Sequence, residues 1–249
     1  MNHQEIIGQI SNQIVNGDFE ASIQKRDSGF GSQPEVSELI HLSITKNVPP
    51  RLISEEALDK AMDVSLKKYM DTDLLLPELI ERAISTSKAR DILAEYTNNG
   101  SSFSKGKVVL TTIEGKDRSY WQDTVTSILK GLGFEIIDLG NEASVDQVVR
   151  SVKEEGAELL VITMPSISVF PEFKAASSVS LTPVLKKLTN KLSEEGCRKN
   201  VMIMIGGFIA GIESAEDIGV DHCCENMLET VEIFNKLNGL YDGSSYTYN

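Results

Sequence analysis

Gly115-Lys116-Asp117-Arg118-Ser119-Tyr120-Trp121 follows the apolar run Val108-Val109-Leu110-Thr111-Thr112 and leads into a helical pattern. A loop at the carboxyl end of a first parallel strand is where an open α/β sheet places its ligand. Lys116 and Arg118, beside a helix amino terminus, are of the type that holds a phosphate or carboxylate. Arg118 offers no lone pair to a metal, because guanidinium stays protonated and has no acceptor. The chain lacks a Gly-x-Gly-x-x-Gly phosphate loop, a Ser-His-Asp order and a His-Glu-x-x-His pattern, so no self-contained enzyme is read from it. Small and hydroxyl residues follow later apolar runs: Thr163, Ser166 and Ser168, then Gly206-Gly207, where no Cβ projects into a cleft. His222-Cys223-Cys224 has ligand-type side chains without the spacing of a zinc knuckle and reads as ordinary buried thiols. Glu55-Glu56 and Glu154-Glu155 fall on helical patterns and read as solvated faces.

The elements that must position these residues come in two kinds. Residues 1–98 read as a helical bundle. Ile6, Ile7, Ile10 and Ile14 recur at helical spacing, as do Val36, Leu39, Ile40 and Ile44. Ser54 is the expected N-cap of a third helix, with Glu55 and Glu56 in its first turn, and Pro77 opens a fourth. Residues 99–106 form a glycine- and serine-rich linker. From 107 to 240 the period changes: strand-length apolar runs at Val108 to Leu110, Ile136 to Leu139, Leu159 to Ile162 and Val201 to Ile205 alternate with helices. That pattern predicts a parallel sheet covered on both faces. A helix from Met227 to Leu237 precedes a tail, 241–249, expected to be disordered.

The 249 residues suffice for two ordinary domains. A net charge of -13 excludes a general basic surface for nucleic acid and suits solubility or a basic protein partner. Three cysteines and no signal-like amino terminus point to a reducing cytoplasm. No stretch approaches the roughly 18 consecutive apolar residues of a membrane span.

Several stretches, taken in order, resemble the methyltransferase corrinoid proteins, which bind cobalamin. These are Asn16-Gly17-Asp18, Met62-Asp63-Val64, Leu76-Pro77-Glu78-Leu79, the run Lys130 to Gly140, the run Val152 to Leu160, and Met204-Ile205-Gly206-Gly207. The resemblance implies a helical bundle cap over the reactive face of a corrin, followed by a Rossmann-like (flavodoxin-like) cobalamin-binding domain. It also implies that the cofactor's dimethylbenzimidazole tail enters a channel between strands. By position the cofactor-binding set would be Asp117, Arg118, Ser119, Tyr120 and Trp121 in the loop, Thr163, Ser166 and Ser168, Gly206 and Gly207, Cys224, and Met62 from the cap. The family loop reads Gly-Asp-x-His-x-x-Gly, its histidine ligating cobalt. Here Lys116 stands at the aspartate, Arg118 at the histidine and Trp121 at the last glycine, so no metal ligand and no catalytic residue is implied.

Three readings follow. The first is a methyl-carrier subunit that holds cobalamin without a protein histidine (His-off) and serves methyltransferase subunits. Arg118 would then favour low-valent cobalt. The second is a non-catalytic relative that has lost cobalamin and acts through protein partners. The third places a phosphate or carboxylate ligand on Lys116 and Arg118.

Overall fold

The computed structural model describes residues 2–16, 35–97, 103–112, 120–141, 143–164, 182–207 and 214–241. The chain forms two compact units. One holds Met1–Lys105 with Ser127–Gly133 and Phe234–Asn249; the other holds Gly106–Thr126 with Phe134–Ile233. None of the described helices is long and apolar enough to cross a membrane.

The first unit is mostly helical. Helix α1 (His3–Val15) starts in a reciprocal capping box: the Asn2 side chain accepts from the Glu5 N–H, and the Glu5 carboxylate accepts from the Asn2 N–H. Its Ile6, Ile7, Ile10 and Ile14 are buried with Leu39 and Ile40 of α2 (Val36–Thr45). A further helix begins at Pro50, earlier than the sequence predicts. Its segments are α3 (Pro50–Ile53), a π-helical turn (Ser54–Asp59) and α4 (Lys60–Met70). Ser54 is therefore not an N-cap. Proline in a first turn has its φ already set and gives up no hydrogen bond, so Pro50 makes the start.

The π turn places Ser54 and Asp59 against Arg90 of α5 (Leu76–Glu95), whose guanidinium donates to Ser54 Oγ at 3.0 Å and ion-pairs with Asp59. Lys105 Nζ joins the same carboxylate at 3.1 Å, and the side chains of Asp59, Arg90 and Lys105 are only 14%, 10% and 10% exposed. Asn238 accepts from Lys105 and donates to Asp63. Arg90 Nε also donates to the Gly131 carbonyl at 3.1 Å. Gly131 packs so closely on α5 that a Cβ there would stand 2.7 Å from the Ala83 Cα.

The second unit is a five-stranded parallel sheet in the order β2-β1-β3-β4-β5. Its strands are β1 (Lys107–Thr112), β2 (Glu135–Asp138), β3 (Leu159–Thr163), β4 (Met202–Gly206) and β5 (His222–Cys224). The helices that join or follow them are α6 (Tyr120–Leu132), α7 (Val145–Glu155), α8 (Thr182–Glu194), α9 (Ala215–Ile218) and α10 (Met227–Tyr241). Val109, Leu160, Ile162, Ile203 and Ile205 pack with Val148, Val149 and Val152 of α7 and Leu185, Leu188 and Leu192 of α8. Val108, Leu110, Val161 and Met204, which alternate with them, are fully buried as well. Burial of both faces accounts for the continuous apolar strands. Strand order reverses between β1 and β3, and in open sheets ligands bind at the carboxyl ends beside such a reversal.

Candidate functional site

The carboxyl ends of the strands carry one row of side chains. Thr112 pairs with Thr163, Thr163 with Gly206, and Gly206 with Cys224. Register partners in a sheet share a face, so these residues form a line across four strands with a gap at the glycine. Helix α6 begins on this face. Gln122 in its first turn is fully buried and accepts from the Thr112 hydroxyl at 3.1 Å. The Thr163 hydroxyl lies 2.6 Å from that of Thr112, and the Gln122 amide donates to Asp138 at 3.2 Å. The Thr163 hydroxyl also has the Thr111 carbonyl within reach at 3.3 Å, so either threonine can be the donor of the pair, and the network joins Thr163, Thr112, Gln122 and Asp138. Asp138 also accepts from the Gly140 N–H at 2.9 Å. Directional hydrogen bonds of this kind stiffen a buried polar site.

Trp121, also in the first turn of α6, fills the gap. A Cβ on Gly206 would meet the indole Cζ2, Nε1 and Cε2 at 2.5, 2.6 and 2.7 Å. Nε1 is buried and has no hydrogen-bond partner among the described residues. Gly207 follows with φ 109°, and a Cβ there would stand 3.2 Å from the Met164 carbonyl oxygen. Burial pushes the Cys224 thiol up to about 11, against a smaller opposing effect of its Thr230 hydrogen bond. At neutral pH it is a neutral thiol and a poor nucleophile. Burial also raises Cys223. Among the described residues no group of three or more His, Cys, Asp and Glu converges.

The structure thus brings Trp121, Thr163, Gly206 and Cys224 of the sequence-named residues together. Tyr120 is 65% exposed, and Met62 is fully buried within the helical unit. Lys116, Asp117, Arg118, Ser119, Ser166 and Ser168 lie outside the described residues. Sequence reasoning missed Thr112, Gln122 and Asp138. A buried glutamine next to the tryptophan was the available signal; the register that aligns it with Thr112 was not readable.

These features define a doubly wound α/β domain of flavodoxin-like strand order, with a ring-sized gap at its carboxyl edge. No family model matches the chain. Dimethylamine corrinoid protein 1 of Methanosarcina acetivorans is 28% identical over 183 residues, 73% of this chain and 80% of that protein. A corrinoid protein of Desulfitobacterium hafniense is 25% identical over 214 residues, 84% of this chain and 93% of the other. A chain of the methanol:cobalamin methyltransferase complex from Methanosarcina barkeri shares the fold, with TM-score 0.67 and 19% identity over 97% of this chain and 81% of that one. Over most of its length the chain is thus similar to corrinoid proteins of methyltransferase systems.

Its own residues do not fit a cobalamin bound with its base between the strands. The indole already occupies the gap over Gly206.

Proposed function

We propose that the chain is a cytoplasmic, corrinoid-protein-type module of a methyltransferase system that works by binding a methyltransferase subunit, with its own cofactor slot closed. The observation that carries this reading is the indole of Trp121 seated on Gly206 in a chain otherwise alike, over most of its length, to corrinoid proteins. Arg118 at the histidine position supports it from a second residue of the same loop. The -13 charge suits a basic face on the partner. Sedimentation velocity tests the reading: the chain, with no corrinoid added, is mixed with the methyltransferase subunit of a methanol or a dimethylamine system. A stable complex is expected, and independent sedimentation of the two proteins overturns it.

The intact Gly206-Gly207 pair, with Gly207 still in its left-handed conformation, favours one second reading. In it a cobalamin is held without a protein histidine and carries a methyl group. Corrin absorbance retained by the unmodified chain after desalting separates this reading from the first.

A further inference from the structure

We propose that the β2 edge of the sheet takes up an extended, basic segment of a partner protein as an added strand. One lysine or arginine side chain of that segment lies in the groove between β2 and α7. Strand β2 ends the sheet on one side, with β1 as its sole neighbour among the described strands. Glu135 and Leu139 donate their N–H groups to the Gly106 and Leu110 carbonyls, so alternate residues of β2 turn their main chain toward β1. Ile136, between them in that alternation, turns its N–H and C=O outward. An edge of this kind is a template for one more strand.

The groove beside that edge defines the occupant. Gln147, Arg150, Ser151 and Glu154 form one stripe of α7 and, with Leu139 and Ala143, line a groove of about 200 Å³. That is below the roughly 300–1,000 Å³ of small-molecule pockets and suits a single long side chain. Leu139 and Ala143 pack against the core and offer an apolar floor to a methylene stem. Glu154 is exposed at the rim and offers its carboxylate to the cationic head. Arg150, the groove's own cation, is offset by Asp146 one turn earlier on the same helix. The edge strand adds two more exposed acids, Glu135 and Asp138. A second copy of this chain at the same edge would set those like charges beside each other, which is unfavourable. A basic segment meets Glu135, Asp138 and Glu154 together.

The test uses peptides and no methyltransferase, so its failure is distinct from failure of the proposed partner role. The full chain is titrated into the fluorescein-labelled peptide Thr-Val-Lys-Val-Lys-Val-Thr, blocked at both ends, and fluorescence anisotropy is read at about 0.15 M salt. Saturable binding is expected. Two further peptides, N-methylated either at the valines or at the lysines, keep the charge but lose the N–H groups of one edge. One of these two should bind at least about 10-fold more weakly than the other. An Ile136→Pro variant, once shown folded by circular dichroism, should weaken binding to a similar degree, since proline there removes the outward N–H and no ladder bond. Glu154→Lys should weaken it about 3- to 5-fold. Equal binding of all three peptides overturns the inference, because charge alone then accounts for it. Absence of saturable binding overturns it too, as does a dimer of the unmodified chain in sedimentation that Ile136→Pro abolishes.

Discussion

Alanine at Gly206 places a methyl group 2.5–2.7 Å from the Trp121 indole, well inside ordinary van der Waals contact, which starts near 3.4 Å. Gly206 is not among the glycines with left-handed φ, so the substitution strains no backbone and its cost comes from the ring. An indole is rigid and its edge cannot yield as a flexible side-chain tip does. Overpacking of this kind costs about 1–3 kcal/mol. With the indole removed in a Trp121→Gly background, the three atoms nearest the added methyl are gone. There it should stabilise by about 0.4–1 kcal/mol, because alanine restricts the unfolded chain more than glycine does. The double-mutant cycle should therefore show a coupling of at least about 1.4 kcal/mol between positions 121 and 206. Urea unfolding followed by far-ultraviolet circular dichroism measures it, since the Trp121→Gly arms lack the fluorophore. Gly207→Ala is the control: at φ 109° it is strained with or without the ring. A Gly206→Ala penalty of equal size in both backgrounds refutes the packing argument.

Other expectations follow from the same contacts. Asp59→Asn leaves Arg90 and Lys105 facing each other in a mostly buried setting and should cost about 3–5 kcal/mol in urea unfolding; a loss below about 1 kcal/mol contradicts the ion network. Gly131→Ala gains about 1 kcal/mol of helix propensity but drives its methyl to 2.7 Å from the Ala83 backbone. A net loss of stability is expected, and a net gain contradicts the close approach. The Cys224 thiol is raised to about 11 when folded, so its contribution is complete below the unfolded thiol pKa of about 8.5 and fades as pH rises toward 11. Cys224→Ala should flatten that part of the alkaline decline in stability; an unchanged pH profile argues against a buried, neutral thiol.

Much of the fold is legible in the chain because burial on both faces writes itself as apolar runs. Val108 to Leu110, Leu159 to Ile162 and Val201 to Ile205 mark β1, β3 and β4 to within a residue or two. Strand β5 went unread: it has three residues, one of them histidine, and its edge position demands little apolar surface. Helix α8 was also passed over, although Leu185, Leu188 and Leu192 carry its signal at helical spacing. The misplaced cap at Ser54 shows a local rule overridden by tertiary demand, since that hydroxyl faces Arg90, 36 positions away. The site was half legible. Trp121 and Gly206 could each be singled out by type, but their contact depends on register and on the angle of α6, which no spacing encodes. Thr112 and Asp138 looked like strand ends until Gln122 joined them.

The most direct measurement is the absorbance spectrum of the desalted chain after incubation with hydroxocobalamin, beside that of an Arg118→His, Trp121→Gly double variant. The closed slot predicts an unmodified chain without corrin absorbance and a double variant that retains it. Stoichiometric corrin absorbance on the unmodified chain contradicts the account and favours carriage of cobalamin without a protein histidine.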